Sequence, residues 1–320
     1  MRVCRWAERA WDAPAIVARQ LGVKRRRWDT VVVEVDPEAL EARAVFGERA
    51  LDSDCRHVVE HAPLEFAFYR DCLPHPGYPW RYVREAIHDA DDRGLIETRR
   101  GKNGRIELRR KWRYPDWVSR LVAIENKPDL DASAARALAP QIERDVALGL
   151  ADEVWVATRA TGERVEPALL ERLPVEAGIL AVGGESVDIA WHATSLATEE
   201  PGTRILENPD PPSAARFEYV SPEWKAEKRQ GIAERAYEKG WRSFVEHMRT
   251  DCRHFRIRDP DLPLPYCAAK GRHVTPRECA SRCGELSPEP PAWRTRGWPI
   301  EGGPGKAVKR LLKRQRERYR

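Results

Sequence analysis

The sequence predicts a mixed α/β chain that carries a helical insert and a small metal-binding module. Three observations predict it. Short β-branched or apolar runs, TVVVEV at 30–35, LVAIEN at 121–126 and EVWVAT at 153–158, alternate with stretches of helical spacing. Between the first two runs the pattern changes to two helical stretches and a basic hairpin. Four of the seven cysteines, Cys252, Cys267, Cys279 and Cys283, fall in the last quarter of the chain.

Taken in order, residues 3–21 read as a helix or a broken pair of helices, with Pro14 at a restart and Gly22 as the stop. TVVVEV is a strand, and 38–46 read as a helix. APLEFAFYRDCL at 62–73 has helical spacing. Pro79 opens a second helix with Tyr82, Val83, Ile87 and Ala90 on one face and Gly94 at its end. LIETRR and RIELRR then flank Asn103-Gly104, a strong hairpin signal. Helix, helix and basic hairpin together resemble a winged-helix module over 55–113. LVAIEN is a strand bounded by Pro128. Residues 133–151 read as a helix with Ser133 near its cap and Pro140 as a kink point. EVWVAT is a buried strand, PALLERL a short helix, and GILAVG and SVDIAW two further strands. Residues 198–216 read as a Pro- and acid-rich linker, and 221–248 as a long helix capped by Ser221.

Composition limits the function classes. The chain has 320 residues, enough for two or three domains, with 42% hydrophobic and 33% charged residues, as in globular proteins. No run approaches the roughly 18 apolar residues of a membrane span. The opening MRVCRWAERAWD lacks the apolar centre of a secretory leader, so a cytoplasmic protein with no membrane partner is expected. The net charge of +5 is uneven. Residues 306–320 hold eight basic residues and one acid, a net +7, which leaves −2 for the rest. A polycationic tail of this kind suits an anionic partner, most often nucleic acid.

The sharpest local pattern is YPDWVSRLVAIENKPD at 114–129. Residues two apart on a strand share a face, so Glu125 and Lys127 point the same way. A carboxylate there can hold a divalent metal, and a lysine beside it can orient or deprotonate a water. Mg2+ is satisfied by one or two carboxylates plus phosphate oxygens. A second carboxylate has two candidates. Asp116, which follows Pro115, is the preferred one; an extended strand from 116 to 125 would hold its ends about 30 Å apart, so it would reach Glu125 through a tight turn near Arg120-Leu121. Asp29 immediately precedes TVVVEV, which could pair with LVAIEN.

The order of helix with Glu8, strand, Pro115-Asp116, strand ending in Glu125-x-Lys127, helix and strand resembles the αβββαβ core of the PD-(D/E)xK nuclease superfamily. The resemblance covers about 1–50 and 113–192. It implies a restriction-endonuclease-like α/β fold and a nuclease that cuts phosphodiester bonds of DNA with Mg2+ or Mn2+. Glu125 and one of Asp116 or Asp29 would hold the metal, with Glu8 joining from the first helix. Lys127 would serve the attacking water. Gln141 half-matches the Gln-x-x-x-Tyr pattern of RecB-like members, since its fourth following residue is Asp145. Resolvase-like members are dimers, so a homodimer is one open oligomeric state. The implied organisation is a nuclease core at 1–54 and 114–197, the insert at 55–113, a linker and long helix at 198–249, a cysteine module at 250–290 and a basic tail at 302–320.

The four late cysteines suit a structural zinc ion or an iron–sulfur cluster. Their spacing departs from the iron–sulfur pattern of RecB-like nucleases, which places one cysteine before the core, where this chain offers only Cys4. His254 and His273 are substitute ligands. Arg81, Arg84, His88 and Arg93 on the insert's second helix, and Arg99, Arg100, Lys102 and Arg105 in its hairpin, are candidate phosphate contacts. The alternative function is a nucleic-acid-binding regulator that uses the insert and a zinc module around a core that no longer cuts.

Overall fold

The computed structural model describes residues 2–23, 26–75, 77–160, 172–183, 186–207, 216–240, 249, 252–257, 265–274, 279 and 283–288. The chain divides into two compact units, Met1–Gly240 and Trp241–Arg320.

The first unit begins with α1 (Arg2–Ala10), followed by β1 (Ala15–Val23) and β2 (Arg26–Val35). The expected helix over 3–21 is therefore correct only to Ala10. Residues 15–23 are a strand, because the β-branched face of β2 offers them a full antiparallel ladder from Ala15↔Glu34 to Val23↔Arg26. Tertiary pairing here overrides helical spacing. Next come α2 (Pro37–Ala44) and α3 (Ser53–His61), capped by Asp36 and Asp52, whose carboxylates accept from Ala39 N and Cys55 N. The 62–73 stretch is not one helix. It holds the two-residue β3 (Ala67–Phe68) and the single turn α4 (Tyr69–Cys72), and the longer helix lies just upstream as α3. Then follow α5 (Trp80–Asp92), β4 (Ile96–Arg100) and β5 (Ile106–Arg110). These last elements form a three-stranded sheet in the order β3-β5-β4 over their own core, which includes Val58, Val59, Val83, Ile87, Ile96 and Leu108.

The chain then returns to the first sheet with β6 (Val118–Asn126), α6 (Ala132–Leu148), β7 (Glu153–Arg159), β8 (Gly178–Val182) and β9 (Val187–Trp191). The sheet is six-stranded and mixed, in the order β1-β2-β6-β7-β8-β9. β2 meets β6 antiparallel, while β6, β7 and β8 run parallel. Asp131 caps α6 by accepting from Ala134 N. PALLERL lies almost wholly outside the described residues. The expected linker at 198–216 instead contributes β10 (Gly202–Glu207) and β11 (Arg216–Val220), an antiparallel pair. α7 (Pro222–Lys239) follows with Ser221 as its cap. Its expected continuation over 241–248 lies outside the described residues, as does the basic tail at 302–320.

The main core packs the face of the sheet carrying Val31, Val33, Leu121, Ala123, Val154 and Val156 against α6 and α7. α1 lies on the opposite face, where Cys4 Sγ is 3.4 Å from Thr30 Oγ1. The two cores of this unit meet at Tyr114, which packs against both. Its hydroxyl donates to Glu234 Oε1 (2.5 Å), and Glu234 forms a fully buried ion pair with Arg43. Leu51 N also donates to Glu234 Oε2 (2.7 Å), so one carboxylate ties α2, α7 and the start of the insert together.

The second unit contains β12 (Phe255–Ile257), β13 (Pro265–Cys267) and β14 (Arg272–His273), paired antiparallel in that order. Among the described residues, no helix is long and apolar enough to cross a membrane.

Candidate active site and cysteine cluster

Glu125 is the penultimate residue of β6, flanked by antiparallel β2 on one side and parallel β7 on the other. The neighbouring strands bury it to 5% exposure. The β2–β6 register pairs Thr30 with Ile124, so the next position along β2, Asp29, stands beside Glu125. Asp29 Oδ2 accepts from Asn126 N (3.0 Å), and Oδ1 accepts from Gln20 Nε2 (2.6 Å). Lys127 follows the strand end, exposed, with its backbone N–H donating to Ala157 O (2.8 Å).

The β1–β2 hairpin departs from regular alternation here. Ala18 and Leu21 both enter the core although three apart, as do Trp28 and Val31. The slip falls at the facing pair Gln20 and Asp29, where Gln20 takes φ +55°. It turns Trp28 and Arg26 towards α6. Arg26 donates to Asp145 through Nε (2.9 Å) and Nη2 (2.5 Å), and Trp28 Nε1 donates to the same carboxylate (3.1 Å). Arg26 Nη2 is also 2.7 Å from Glu125 Oε1. That contact meets ion-pair distance but not hydrogen-bond geometry, and Glu125 Oε1 is a buried oxygen without a hydrogen bond. Burial pushes the Glu125 carboxyl up to about 7. Arg26 pulls it down, and the Asp29 charge pushes it up. Burial also raises Asp145, although Arg26 and Trp28 stabilise its anion.

The structure thus brings Asp29 to Glu125, with Lys127 two residues further along the chain, and it does not bring Asp116 to them. Asp116 precedes β6 at its far end, where Val118 pairs with Val35. Nine residues at roughly 3.3 Å each put it about 30 Å from Glu125, and no turn falls at Arg120-Leu121, which lie inside the strand. Glu8 is exposed on α1, the helix on the opposite face from α6. Gln141 lies one turn before Asp145 on α6. Arg26, Gln20, Trp28 and Asp145 were not singled out from the sequence. The available signal was Asp145 itself, an acid on the otherwise apolar inner face of α6.

The residues fit a divalent cation in part. A buried carboxylate whose Oε1 meets only Arg26, at ion-pair distance, beside a second carboxylate is a set that a cation would satisfy once Arg26 yields. Among the described residues, however, no three His, Cys, Asp or Glu side chains are grouped as ligands of one ion.

In the second unit Cys252, Cys267, Cys279 and Cys283 are all free thiols, and all line one small cavity of about 20 Å3 with Phe255, Tyr266 and Val274. Burial raises the Cys279 thiol first, and the neighbouring Cys252, Cys283 and Cys267 raise it further. The four therefore converge, though not as a closed ligand set. Cys252 is placed by the turn before β12, and Cys267 pairs with Phe255 across β12–β13.

A sequence model for a family of unknown function, DUF5787, matches residues 16–288. The chain belongs to this family. The DUF5787 match spans Asp29, Glu125, Lys127, Asp145 and the four clustered cysteines, and it begins after Glu8. No curated protein and no solved structure matches the chain.

Proposed function

We propose that this protein is a divalent-metal-dependent nuclease of PD-(D/E)xK type acting on DNA. The observation that carries the reading is the β2–β6 register, which sets Asp29 beside Glu125 with Lys127 two residues on. The element order supports it as well: helix, three strands in an antiparallel meander, helix, and a strand parallel to the third. Glu125 and Asp29 would hold Mg2+ or Mn2+, which when bound supplies positive charge to the phosphodiester oxygens and acidity to water. Lys127, exposed at the strand end, is free to orient the attacking water. Gln20 and the Asn126 N–H fix the Asp29 carboxylate. Arg26 must yield Glu125 Oε1 for that oxygen to serve as a ligand.

The insert supports nucleic acid as the partner. Its order α3-β3-α4-α5-β4-β5 matches a winged helix, with β4–β5 as the wing. Arg99, Arg100, Lys102 and Arg105 are exposed on that wing, and Arg81, Arg84 and His88 on α5. The acids of α5, among them Glu85 and Asp89, oppose a polyanion, which favours the wing as the contact. The convergence of four thiols supports a structural zinc ion or iron–sulfur cluster in the second unit. Metal analysis and visible absorption of purified protein separate the two.

The test is cleavage of plasmid and single-stranded DNA with Mg2+ or Mn2+. Metal-dependent cutting should fall by about 10²-fold or more in Glu125→Ala and in Lys127→Ala. A second reading, a DNA-binding regulator that does not cut, is favoured by one observation: Arg26 already occupies Glu125, and among the described residues no third acid joins the pair. Salt-sensitive binding without cutting, indifferent to both substitutions, would establish it.

A further inference from the structure

Within the first unit a cavity of about 1060 Å3 opens between α6, α7, β10–β11 and the start of the insert. It is separate from the Asp29 carboxylate and shares Arg26, Gln141 and Asp145 with the site above. Its volume lies at the upper end of small-molecule sites. Six lining residues are cationic, and only four carboxylates, Asp52, Asp145, Glu218 and Glu227, line it as well. The excess of two positive charges matches a dianion.

The distribution of partners sharpens this. Arg26 is spoken for by Asp145, Arg204 by Glu218 and Lys228 by Glu227. Arg235 donates only to the backbone carbonyls of Gly22 and Gly231. Arg144 forms no ion pair among the described residues, though it lies near enough to Asp145 to stabilise that anion, and its buried Nε has no hydrogen bond. Arg56 is 5% exposed. Its Nε pairs with Glu60 (3.2 Å) and its Nη2 donates to Glu227 O (3.3 Å), while Nη1 has no partner. A buried guanidinium nitrogen left without an acceptor costs free energy unless something supplies one.

Gly231 faces the same point. It lies inside α7, where glycine is less favourable than alanine. A Cβ there would sit 3.9 Å from Arg56 Nη1, so a larger side chain would fill the space before that nitrogen. The remaining wall is apolar, with Leu51, Leu148, Ile205 and the Trp224 ring, as suits a sugar and base.

We propose that this cavity binds a phosphate monoester, with the Arg56 and Arg144 guanidinium groups as its anchors and the attached nucleoside against the apolar wall. Guanidinium forks match phosphate oxygens in geometry and charge. The ligand is a free nucleotide or the phosphorylated end of a nucleic-acid strand. The proposal does not need the nuclease reading.

The test uses the full-length protein in EDTA, titrated calorimetrically with dAMP, inorganic phosphate, and a short single strand bearing either a 5′-phosphate or a 5′-hydroxyl. Saturable binding should weaken at least tenfold in Arg144→Ala and be lost in Gly231→Leu, both checked for folding by circular dichroism. Lys127→Ala, which disables the proposed nuclease centre and does not line the cavity, should leave binding unchanged. Binding of dAMP without strand discrimination identifies a free nucleotide, and preference for the 5′-phosphorylated strand identifies a strand end. Failure of every phosphate probe to bind, or binding that Arg144→Ala and Gly231→Leu leave intact, overturns the proposal.

Discussion

Glu125 is held in an environment that opposes its ionised form. Burial raises its carboxyl from the ordinary 4.5 to about 7, despite Arg26. A carboxyl whose folded pKa exceeds its unfolded value binds protons more tightly when folded. Its contribution to stability is therefore present at low pH and lost as pH rises from 4.5 to about 7. In metal-free protein, Glu125→Gln should remove this loss. The variant should gain stability relative to the parent at pH 8 but not at pH 4, by up to about 3 kcal/mol, as measured by urea denaturation at the two values. Arg26 contributes at the same scale. It bridges Asp145 and Glu125, so Arg26→Ala should leave two buried carboxylates near each other and lower stability above pH 7. Part of that loss should be restored by Mn2+ if Glu125 and Asp29 take the ion.

At the scale of elements, the β1–β2 hairpin fixes the site. Gly22 has φ +157°, and a Cβ there would stand 2.2 Å from Arg26 O. Gly22→Ala should cost about 1–3 kcal/mol, read as a shift in the denaturation midpoint. It should also displace Arg26, which a changed pH dependence of stability would report. This hairpin was the part least legible from the sequence. AIVARQLGV has helical spacing, and only its pairing with TVVVEV makes it a strand. By contrast, β2, β6, β7 and α5 were legible, because β-branched runs, a Pro start and a Gly stop act locally. Glu125 and Lys127 were legible for the same reason, being two apart at a strand end. The neighbour of Glu125 depends on register over nearly a hundred residues of intervening chain. The sequence could therefore only hold Asp29 and Asp116 open, and the ladder Thr30↔Ile124 brings Asp29 alone to Glu125. Arg26 and Asp145 are joined across 119 residues, so the sequence showed only an acid on the apolar inner face of α6 and nothing of its partner.

Across the whole first unit, the insert leaves and rejoins the sheet between β2 and β6, and a buried polar network secures that junction. Glu234 serves Arg43, Tyr114 and Leu51 at once, with no exposed atom to share the load. Removing it strands a buried guanidinium, so Glu234→Ala should destabilise by about 3–5 kcal/mol, seen as a fall in melting temperature shared by both cores. The charge of the whole chain belongs to this scale too. Residues 306–320 carry a net +7 against a total of +5. Deleting them should weaken DNA binding and flatten its dependence on salt, while metal-dependent cutting of DNA at low salt persists.

The proposed nuclease chemistry has Asp29 and Glu125 holding one ion, and Mg2+-dependent plasmid cleavage by Asp29→Ala and Asp116→Ala, compared side by side with the parent, tests that most directly. Loss of about 10²-fold or more in Asp29→Ala, with Asp116→Ala close to the parent, is the predicted result. Cutting that survives Asp29→Ala, or that Asp116→Ala abolishes in a folded protein, would contradict it.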